Sequence, residues 1–255
     1  MKILVTSGGT RIPIDRVRHI ANMSQGTFGA EIAKEFLLHG HNVEFLRAER
    51  SKSPFQLTLD FNKSSAVEAV RDFADMASFS SGSLAKYHET TYKTFDDYAR
   101  ELKALVCPEY PAEKPDVVFL AAAVSDYGTK PLKGKVRSSA ADMSIHLHKL
   151  PKLIRMVKRW NPEVFLVGFK LLVDSTPDEL EMAARKTMKA NKCDMVIAND
   201  LRDIQNNDHT LRVFVPGSDV VVMRKSEGSL ASRVASMSVS RCKEMWHPKQ
   251  KRKSK

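Results

Sequence analysis

Two short turns near the start of the sequence, at residues 7–10 and 24–27, carry residue types that bind phosphate groups. The first, Ser-Gly-Gly-Thr, follows an apolar segment, and the second, Ser-Gln-Gly-Thr, precedes a helical pattern. A glycine-rich turn and a helix N-terminus offer unpaired backbone N–H groups and the positive end of the helix dipole, and both favour an anion. We therefore predict a site for a nucleotide or another phosphorylated ligand. Its candidate residues are Gly8, Gly9, Thr10, Ser24, Gly26 and Thr27.

The spacing of these glycines does not match a standard phosphate-binding fingerprint. Neither G-x-G-x-x-G nor G-x-x-x-x-G-K-[ST] is present, and the pair Gly26-x-x-Gly29 alone is a weak signal. The glycines could also serve only to shape a tight strand-to-helix connection. Spacing alone leaves both interpretations open.

Further candidate ligand groups lie where predicted strands end. The near-continuous apolar run 116–124 is typical of a strand buried on both faces, and it leads into Asp126. Two other buried strands end near Phe169 and Asn199. Because ligands of open parallel sheets bind beyond the carboxyl ends of the strands, all three residues are candidate ligand contacts. Turn formation or packing would explain the same residues and remains open.

Small and basic residues accompany the end of the strand 116–124. Ala122 and Ala123 would let a ligand approach the backbone closely. The following segment, 130–139, is basic and contains a glycine, which is typical of a mobile loop. Beside a phosphate site, such a loop could close over a polyphosphate, although a basic loop is more often simply solvated.

The elements that must position these residues alternate between strand and helix. Four strand–helix alternations are followed by two strands, 210–215 and 220–224, that are joined by Pro-Gly-Ser-Asp and predict a hairpin. We predict an α/β protein with a three-layer Rossmann-like fold, a mainly parallel central sheet and a C-terminal β-hairpin. Residues 1–248 should form a single domain. Residues 51–86 have too few apolar side chains for a core of their own and predict a surface insertion.

Composition excludes several classes of protein. No apolar run approaches the roughly 18 to 20 residues that span a bilayer, and residues 1–7 predict a strand rather than a signal peptide, so we expect a cytoplasmic location and no membrane partner. The three cysteines and eight histidines have no metal-ligand spacing, so no metal site is predicted. Much of the net charge of +11 lies in the tail 249–255, which we expect to be disordered. We therefore do not expect nucleic acid to be a partner.

Six segments, in order, resemble the signatures of the phosphopantothenate–cysteine ligase family, also called phosphopantothenoylcysteine synthetase. The opening motif, TRxPxDxVRxIxNxSxG over residues 10–26, is followed by AAAVSDY at 121–127 and GKVRSS at 134–139. HKLPKL at 148–153, VGFKL at 167–171 and DMVIAN at 194–199 complete the set. The resemblance covers roughly residues 1 to 225. It is closer to the stand-alone eukaryotic form than to the bacterial form, which is usually fused to a decarboxylase.

The resemblance implies a ligase that joins 4′-phosphopantothenate to L-cysteine in coenzyme A biosynthesis. A nucleoside triphosphate would activate the carboxylate as an acyl-nucleotide with release of pyrophosphate, and the cysteine amine would then displace the nucleotide. By resemblance, Asn22 and Lys135 are the catalytic residues. Substrate-binding residues would be Arg18, Asn22, Ala122 and Ala123; nucleotide-binding residues would include Asp126, Lys135, Phe169, Lys189 and Asn199.

The resemblance also implies cofactors and an oligomeric state. ATP is favoured and CTP remains possible, with Mg²⁺ held mainly by the nucleotide's own oxygens, and family members work as homodimers. Gly9 stands where bacterial members usually have proline, and Leu172-Val173 replaces an acidic residue and a threonine. The second difference makes the contacts with the nucleotide base uncertain, but not the reaction class.

Two other classes of function fit parts of the sequence. One is a non-catalytic nucleotide- or RNA-binding module in which the basic tail dominates. The other is a reductase of a related fold that uses flavin and NADPH. The chain lacks the acidic or arginine position that reads the ribose after a G-x-G-x-x-G motif, which argues against the reductase.

Overall fold

The computed structural model describes residues 1–56, 86–109, 113–136, 142–206 and 208–246. The strands in these residues are β1 (Lys2–Ser7), β2 (Arg11–Pro13), β3 (His19–Ala21), β4 (Asn42–Ala48), β5 (Tyr87–Tyr92), β6 (Val117–Leu120), β7 (Tyr127–Gly128), β8 (His148–Lys149), β9 (Phe165–Leu172), β10 (Met195–Asp200), β11 (Thr210–Phe214) and β12 (Val221–Arg224). The helices are α1 (Thr27–Leu38), α2 (Phe95–Val106), α3 (Ile154–Trp160), α4 (Pro177–Asn191), α5 (Leu201–Gln205) and α6 (Leu230–Trp246).

An eight-stranded sheet in the order β12-β11-β10-β9-β6-β1-β4-β5 forms the centre of the molecule. The strands from β10 to β5 in this order run parallel to one another. β11 pairs antiparallel with both β10 and β12, and β11 and β12 form the terminal hairpin. This arrangement confirms the predicted mainly parallel sheet with a C-terminal β-hairpin.

The central strands are buried on both faces, which explains their continuous apolar sequences. On β1, Ile3 and Val5 pack into one core cluster with α1 and α6, whereas Leu4 packs into a second cluster with α2, α3 and α4. Because successive side chains of a strand point to opposite faces, an apolar residue at every position needs a helical layer on each side. The structure thus has the three predicted layers.

Side-chain caps fix the starts of two helices where the sequence predicts them. The Thr94 side chain accepts a hydrogen bond from the backbone nitrogen of Asp97, and the Asp97 carboxylate bonds back to Thr94, which makes a complete capping box before α2. Thr176 and Glu179 form the same arrangement before α4, with Pro177 in its first turn. These boxes satisfy N–H groups that a helix start otherwise leaves unpaired.

The structure differs from the sequence prediction in several short elements. The β2–β3 and β7–β8 pairs were not predicted. The sequence also predicts a strand over residues 143–148, of which only His148 lies in a strand, β8. Of the predicted strand 116–124, only Val117–Leu120 forms β6, and beyond it Ala123 makes an isolated parallel bridge with Gly9 in the first glycine turn. The helix predicted from Pro151 begins at Ile154.

The predicted domain boundaries stay predictions. Residues 57–85 of the predicted surface insertion and the whole tail 249–255 lie outside the described residues. No helix in the described part of the chain is long and apolar enough to cross a membrane.

Candidate active site

The two glycine turns predicted to bind phosphate lie against each other at the carboxyl end of β1. Gly8 and Gly26 both have positive φ, 82° and 75°, and a Cβ added to Gly26 would lie 3.0 Å from the backbone nitrogen of Gly8. The same Cβ would be only 2.6 Å from the Oγ of Ser7, which donates a 2.9 Å hydrogen bond to the Gly26 carbonyl. Glycine is therefore required at position 26 by both conformation and space.

The start of α1 fits an anion. Its N-cap residue is Gly26, which supplies no side-chain hydrogen bond, and its first turn contains no acidic residue. The backbone N–H groups of this turn thus lack the side-chain acceptor that Thr94 and Thr176 give to α2 and α4. Thr27 is exposed in the first turn, and Ser24 is half-buried just before it. The arrangement is that of a phosphate-binding helix start.

The backbone of Ala123 joins the first glycine turn to Asn22. The Asn22 side-chain nitrogen donates to the Ala123 carbonyl at 3.0 Å, and the Ala123 nitrogen donates to the Gly8 carbonyl at 2.7 Å. Gly9 forms a bridge with Ala123, and a Cβ there would lie 2.9 Å from the Asn22 carbonyl oxygen. These four predicted site residues are therefore in direct contact.

Thr10 and Ala122 lie beside this contact and face the protein. Thr10 is fully buried; its hydroxyl accepts from the Ser125 backbone nitrogen at 2.9 Å and lies 3.0 Å from the Ser125 hydroxyl. The Ala122 nitrogen donates to the Thr6 hydroxyl at 3.3 Å. Thr10 thus links the first turn to the segment after β6, and its predicted nucleotide contact stays a prediction.

Asp126 lies exposed at the end of the same segment. It forms an ion pair with Lys152, and its carbonyl accepts a 2.8 Å hydrogen bond from the Leu150 nitrogen. The segment with the family's lysine–proline pattern is thereby attached to the strand end where a nucleotide contact is predicted.

Arg18 and Lys135 are connected through Asp15. The Arg18 guanidinium pairs with Asp15 at 2.8 Å and donates to the Val136 carbonyl at 2.7 Å, while the Asp15 carboxylate accepts from the Val136 nitrogen at 3.0 Å. These bonds, led by that from Val136, hold the pKa of Asp15 well below its usual range. Lys135 itself is exposed.

A cavity of about 560 Å³ adjoins this segment. Its lining is partly basic, which suits an anionic group. His146 and His148 belong to its wall. The lining residues are Ile14, Thr129, Lys130, Leu132, Met143, Ser144, Ile145, His146 and His148.

An aromatic and amide cluster lies on the other side of the helix start. Phe28 contacts Phe169 and His209 edge-on, with ring centroids 6.2 and 5.5 Å apart. The Asn199 side-chain nitrogen is 3.2 Å from Nε2 of His209. Burial, followed by the charge of Lys225, lowers the pKa of His209. A neutral imidazole therefore predominates at pH 7.

Asp200 holds together the strand ends beside this cluster. Its carboxylate is buried and accepts from the backbone nitrogens of Asp174, Ser175 and Arg202 at 2.8 to 3.1 Å, and from the Ser175 hydroxyl. Burial alone would raise the pKa of Asp200, but these hydrogen bonds outweigh it and lower the pKa to about 2.

Lys189 lies apart from the other predicted residues. It is exposed in the last turn of α4, which returns the chain to the amino end of β10, whereas the glycine turns and Asn199 lie at carboxyl ends. Its predicted nucleotide contact stays a prediction, and the structure does not bring it to the group around Gly26.

Asp15, Phe28 and His209 belong to the site by contact and were not singled out from the sequence. The motif of residues 10–26 includes Asp15, so its position was visible although its partners were not. Nothing in the local pattern around His209 distinguishes it. Among the described residues, no group of three or more histidine, cysteine, aspartate or glutamate side chains could hold a metal ion.

The fold and the site define a Rossmann-like parallel α/β protein with a glycine turn suited to phosphate binding at the carboxyl ends of its strands. The model of the DNA/pantothenate metabolism flavoprotein C-terminal domain family matches residues 1–84 and 93–240. The chain is 30% identical over 232 residues to the phosphopantothenate–cysteine ligase of Mus musculus, across 80% of this chain and 73% of that protein. The chain belongs to the phosphopantothenate–cysteine ligase family.

Two further similarities agree with this membership. The chain is 32% identical over 235 residues to the coenzyme A biosynthesis bifunctional protein CoaBC of Thermococcus kodakarensis, across 91% of this chain and 49% of that protein. It thus spans about half the length of that relative. The crystal structure of the DNA/pantothenate metabolism flavoprotein from Streptococcus pneumoniae superposes with a TM-score of 0.74 at 27% identity, covering 95% of this chain and 98% of that one.

Proposed function

We propose that this protein is a ligase that joins 4′-phosphopantothenate to L-cysteine, with ATP as the favoured nucleotide and release of AMP and pyrophosphate. The observation that carries the proposal is the contact of Asn22 with Ala123, which is itself bonded to the first glycine turn. An amide that could hold a carboxylate or an acyl group is thereby fixed beside a site that suits phosphate. That juxtaposition is what activation of an acid by a triphosphate requires.

In the first step, a carboxylate oxygen of phosphopantothenate attacks the α-phosphorus of the nucleotide. The bond from that phosphorus to pyrophosphate breaks, and negative charge develops on the leaving oxygens. The start of α1 and the glycine turn would hold phosphate, and Lys135 would neutralise the developing charge. Mg²⁺ would be held mainly by the nucleotide's own oxygens and would supply positive charge to the phosphates.

In the second step, the amine nitrogen of cysteine attacks the acyl carbon, the carbon–oxygen bond to the nucleotide breaks, and a proton is released. Asn22 can donate a hydrogen bond to the acyl oxygen where charge develops. Ala122 and Ala123 leave room for the pantothenate arm, and the cavity offers the positive charge of Lys130 for its phosphate, with His146 and His148 in the same wall.

We assign the nucleotide base to the side of Phe28, Phe169, Asn199 and His209. An aromatic ring and an amide can stack on a base and hydrogen-bond its edge, as small-molecule sites commonly do. The sequence Phe169-Lys170-Leu171 resembles the eukaryotic version of the family, which supports ATP over CTP.

A homodimer is part of the proposal. The β2–β3 hairpin and its surroundings expose large apolar side chains, with Val17 62% and Met23 101% exposed. Leu132, whose backbone nitrogen donates to the Ile14 carbonyl at 2.8 Å, is also exposed, and such apolar surface suits burial against a second copy of the chain. Light scattering coupled to size-exclusion chromatography measures the state directly. The cytoplasmic location stays a prediction.

Pyrophosphate release from ATP or CTP, with 4′-phosphopantothenate and cysteine added singly and together, tests the activity. We expect ATP to support a higher kcat/KM than CTP at matched Mg²⁺, and the amide product to form only with cysteine. Equal or reversed ratios would contradict the assignment of the base site. Absence of substrate-dependent pyrophosphate would reject the ligase, and steep salt-dependent RNA binding or a bound flavin spectrum would then favour the other two classes.

A further inference from the structure

The carboxylate of Asp15 is completely buried and serves two segments that are distant in sequence. Its Oδ1 accepts from the backbone nitrogens of Val17 and Arg18 at 2.9 and 2.8 Å, within its own turn. Its Oδ2 accepts from the Arg18 side chain and from the nitrogen of Val136, which is 121 residues away. One oxygen therefore shapes the turn before β3, and the other reaches the segment that carries Lys135.

The segment around Lys135 is fixed on both sides by this turn. Arg18 donates to the Val136 carbonyl at 2.7 Å, so both backbone polar groups of Val136 are bonded to the Asp15–Arg18 pair. On the other side, the Arg16 nitrogen donates to the Gly134 carbonyl at 3.0 Å. Lys135 lies between these attachments, and its own side chain is exposed.

A turn with only a structural role does not need the bonds from Asp15 and Arg18 to Val136. The Oδ1 bonds alone would shape residues 15–18, as an asparagine or serine does in many turns. Burying an ionised carboxylate is costly unless it is paired and hydrogen-bonded, and here the pairing is completed by the Lys135 segment. A misplacement of about 1 Å in a reacting group can cost about 100-fold in rate, so a device that fixes a solvent-exposed lysine has functional value.

We propose that the Asp15–Arg18 pair is a positioning device that holds the backbone on the carboxyl side of Lys135, so that the lysine charge is placed for the first chemical step. Asp15 is a positioning residue that acts through Lys135 and touches no reacting atom. This inference rests on the proposed ligase function. It predicts an effect on acyl-nucleotide formation and none on the later attack by cysteine.

The substitution Asp15→Asn tests the device, because it keeps one acceptor oxygen for the turn and turns an N–H₂ group towards the donors of Arg18 and Val136. We expect acyl-nucleotide formation to slow by about 10- to 100-fold, while conversion of preformed acyl-nucleotide to amide and the KM for cysteine stay within about twofold of wild type. Hydrogen exchange at the Val136 amide should become faster. Asp96→Asn makes the same chemical change at an exposed position in the first turn of α2 and should leave all these values unchanged.

The double variant Asp15→Asn/Lys135→Gln separates action through Lys135 from general damage. If Asp15 acts through Lys135, the double variant should be no slower in the first step than Lys135→Gln alone, because the two residues form one unit. The proposal would be overturned if the rate loss of the double variant equalled the product of the losses of the two single variants. It would also be overturned if Asp15→Asn slowed both chemical steps equally.

A second variant keeps the test decisive if Asp15→Asn does not fold. Gly134 has φ 80°, and a Cβ there would meet no atom within 4 Å, so Gly134→Ala strains the attached segment and leaves Asp15 in place. We expect the same selective slowing of the first step. If Lys135→Gln slows acyl-nucleotide formation but neither Asp15→Asn nor Gly134→Ala does, the positioning proposal is wrong and the proposed ligase function is unaffected. If the wild-type protein forms no acyl-nucleotide, the proposed ligase function itself is wrong.

Discussion

The side-chain nitrogen of Asn22 lies 3.0 Å from the carbonyl oxygen of Ala123, although 101 residues separate them in the chain. Asn22 is exposed just after β3, where its side chain would have several rotamers if it had no partner. The bond to Ala123 selects one of them. Because the Ala123 nitrogen is bonded to the Gly8 carbonyl, the amide is held in a defined position relative to the phosphate-type turn.

Replacement of Gly26 by alanine should abolish nucleotide binding and lower stability. The new Cβ would lie 2.6 Å from Ser7 Oγ and 2.9 Å from the Ser51 Cβ, in addition to the strain of a positive φ. The strain alone is worth about 1–2 kcal/mol, and the contacts add to it and displace the start of α1. Urea unfolding and calorimetric titration with ATP measure the two effects.

Gly217→Ala is the matched control, because Gly217 has φ 69° and a Cβ there would meet no atom within 4 Å. It should cost about 1–2 kcal/mol of unfolding free energy from strain, with ATP affinity unchanged. Unaltered ATP binding by Gly26→Ala would show that the start of α1 is not the phosphate site.

The main features of the fold were predictable because they depend on local patterns. Consecutive apolar residues, Ile3–Val5 in β1 and all four positions of β6, indicate strands buried on both faces, and Thr176-Pro177 with Glu179 indicates a helix start. The β2–β3 hairpin was not predictable in the same way. Its strands have three residues each, and all three residues of β3 are exposed, so β3 shows no hydrophobic periodicity.

The site was predictable where residues follow a strand end and unpredictable where they meet through tertiary contacts. Gly8, Ala123 and Asn199 lie at strand ends, and parallel topology brings such positions to one edge. His209 reaches the site only because β10 and β11 are antiparallel neighbours, which returns the chain beside Asn199. Lys189 lies away from the site because its helix, α4, ends near the amino end of β10, on the opposite side of the sheet from the carboxyl ends of the strands.

Asp200 should make stability depend on pH in the acid range. Its pKa is about 2 in the folded protein and about 3.9 in an unfolded chain. The folded state therefore favours the ionised form, and the stabilisation is fully present above about pH 4 and is lost as pH falls towards 2. Urea unfolding of wild type and Asp200→Asn between pH 6 and pH 2.5 should show a stability difference that narrows with acidity. A difference that is constant with pH would mean that the charge of Asp200 does not contribute.

Lys135 and Asn22 should act on different chemical steps, because charge moves differently in each. Cleavage of a triphosphate develops negative charge on phosphate oxygens, so Lys135→Gln, which replaces the ammonium group with a neutral amide, should slow acyl-nucleotide formation and pyrophosphate release without cysteine. Attack by a neutral amine requires the acyl oxygen to be held, so Asn22→Ala should impair conversion of acyl-nucleotide to amide more than its formation. Loss of one well-placed donor typically costs about 10²- to 10³-fold in kcat.

Rapid-quench experiments with radiolabelled phosphopantothenate measure both the acyl-nucleotide and the amide. A wild-type rate of acyl-nucleotide formation in Lys135→Gln would make the lysine a bystander, and loss of only the first step in Asn22→Ala would assign Asn22 to activation instead.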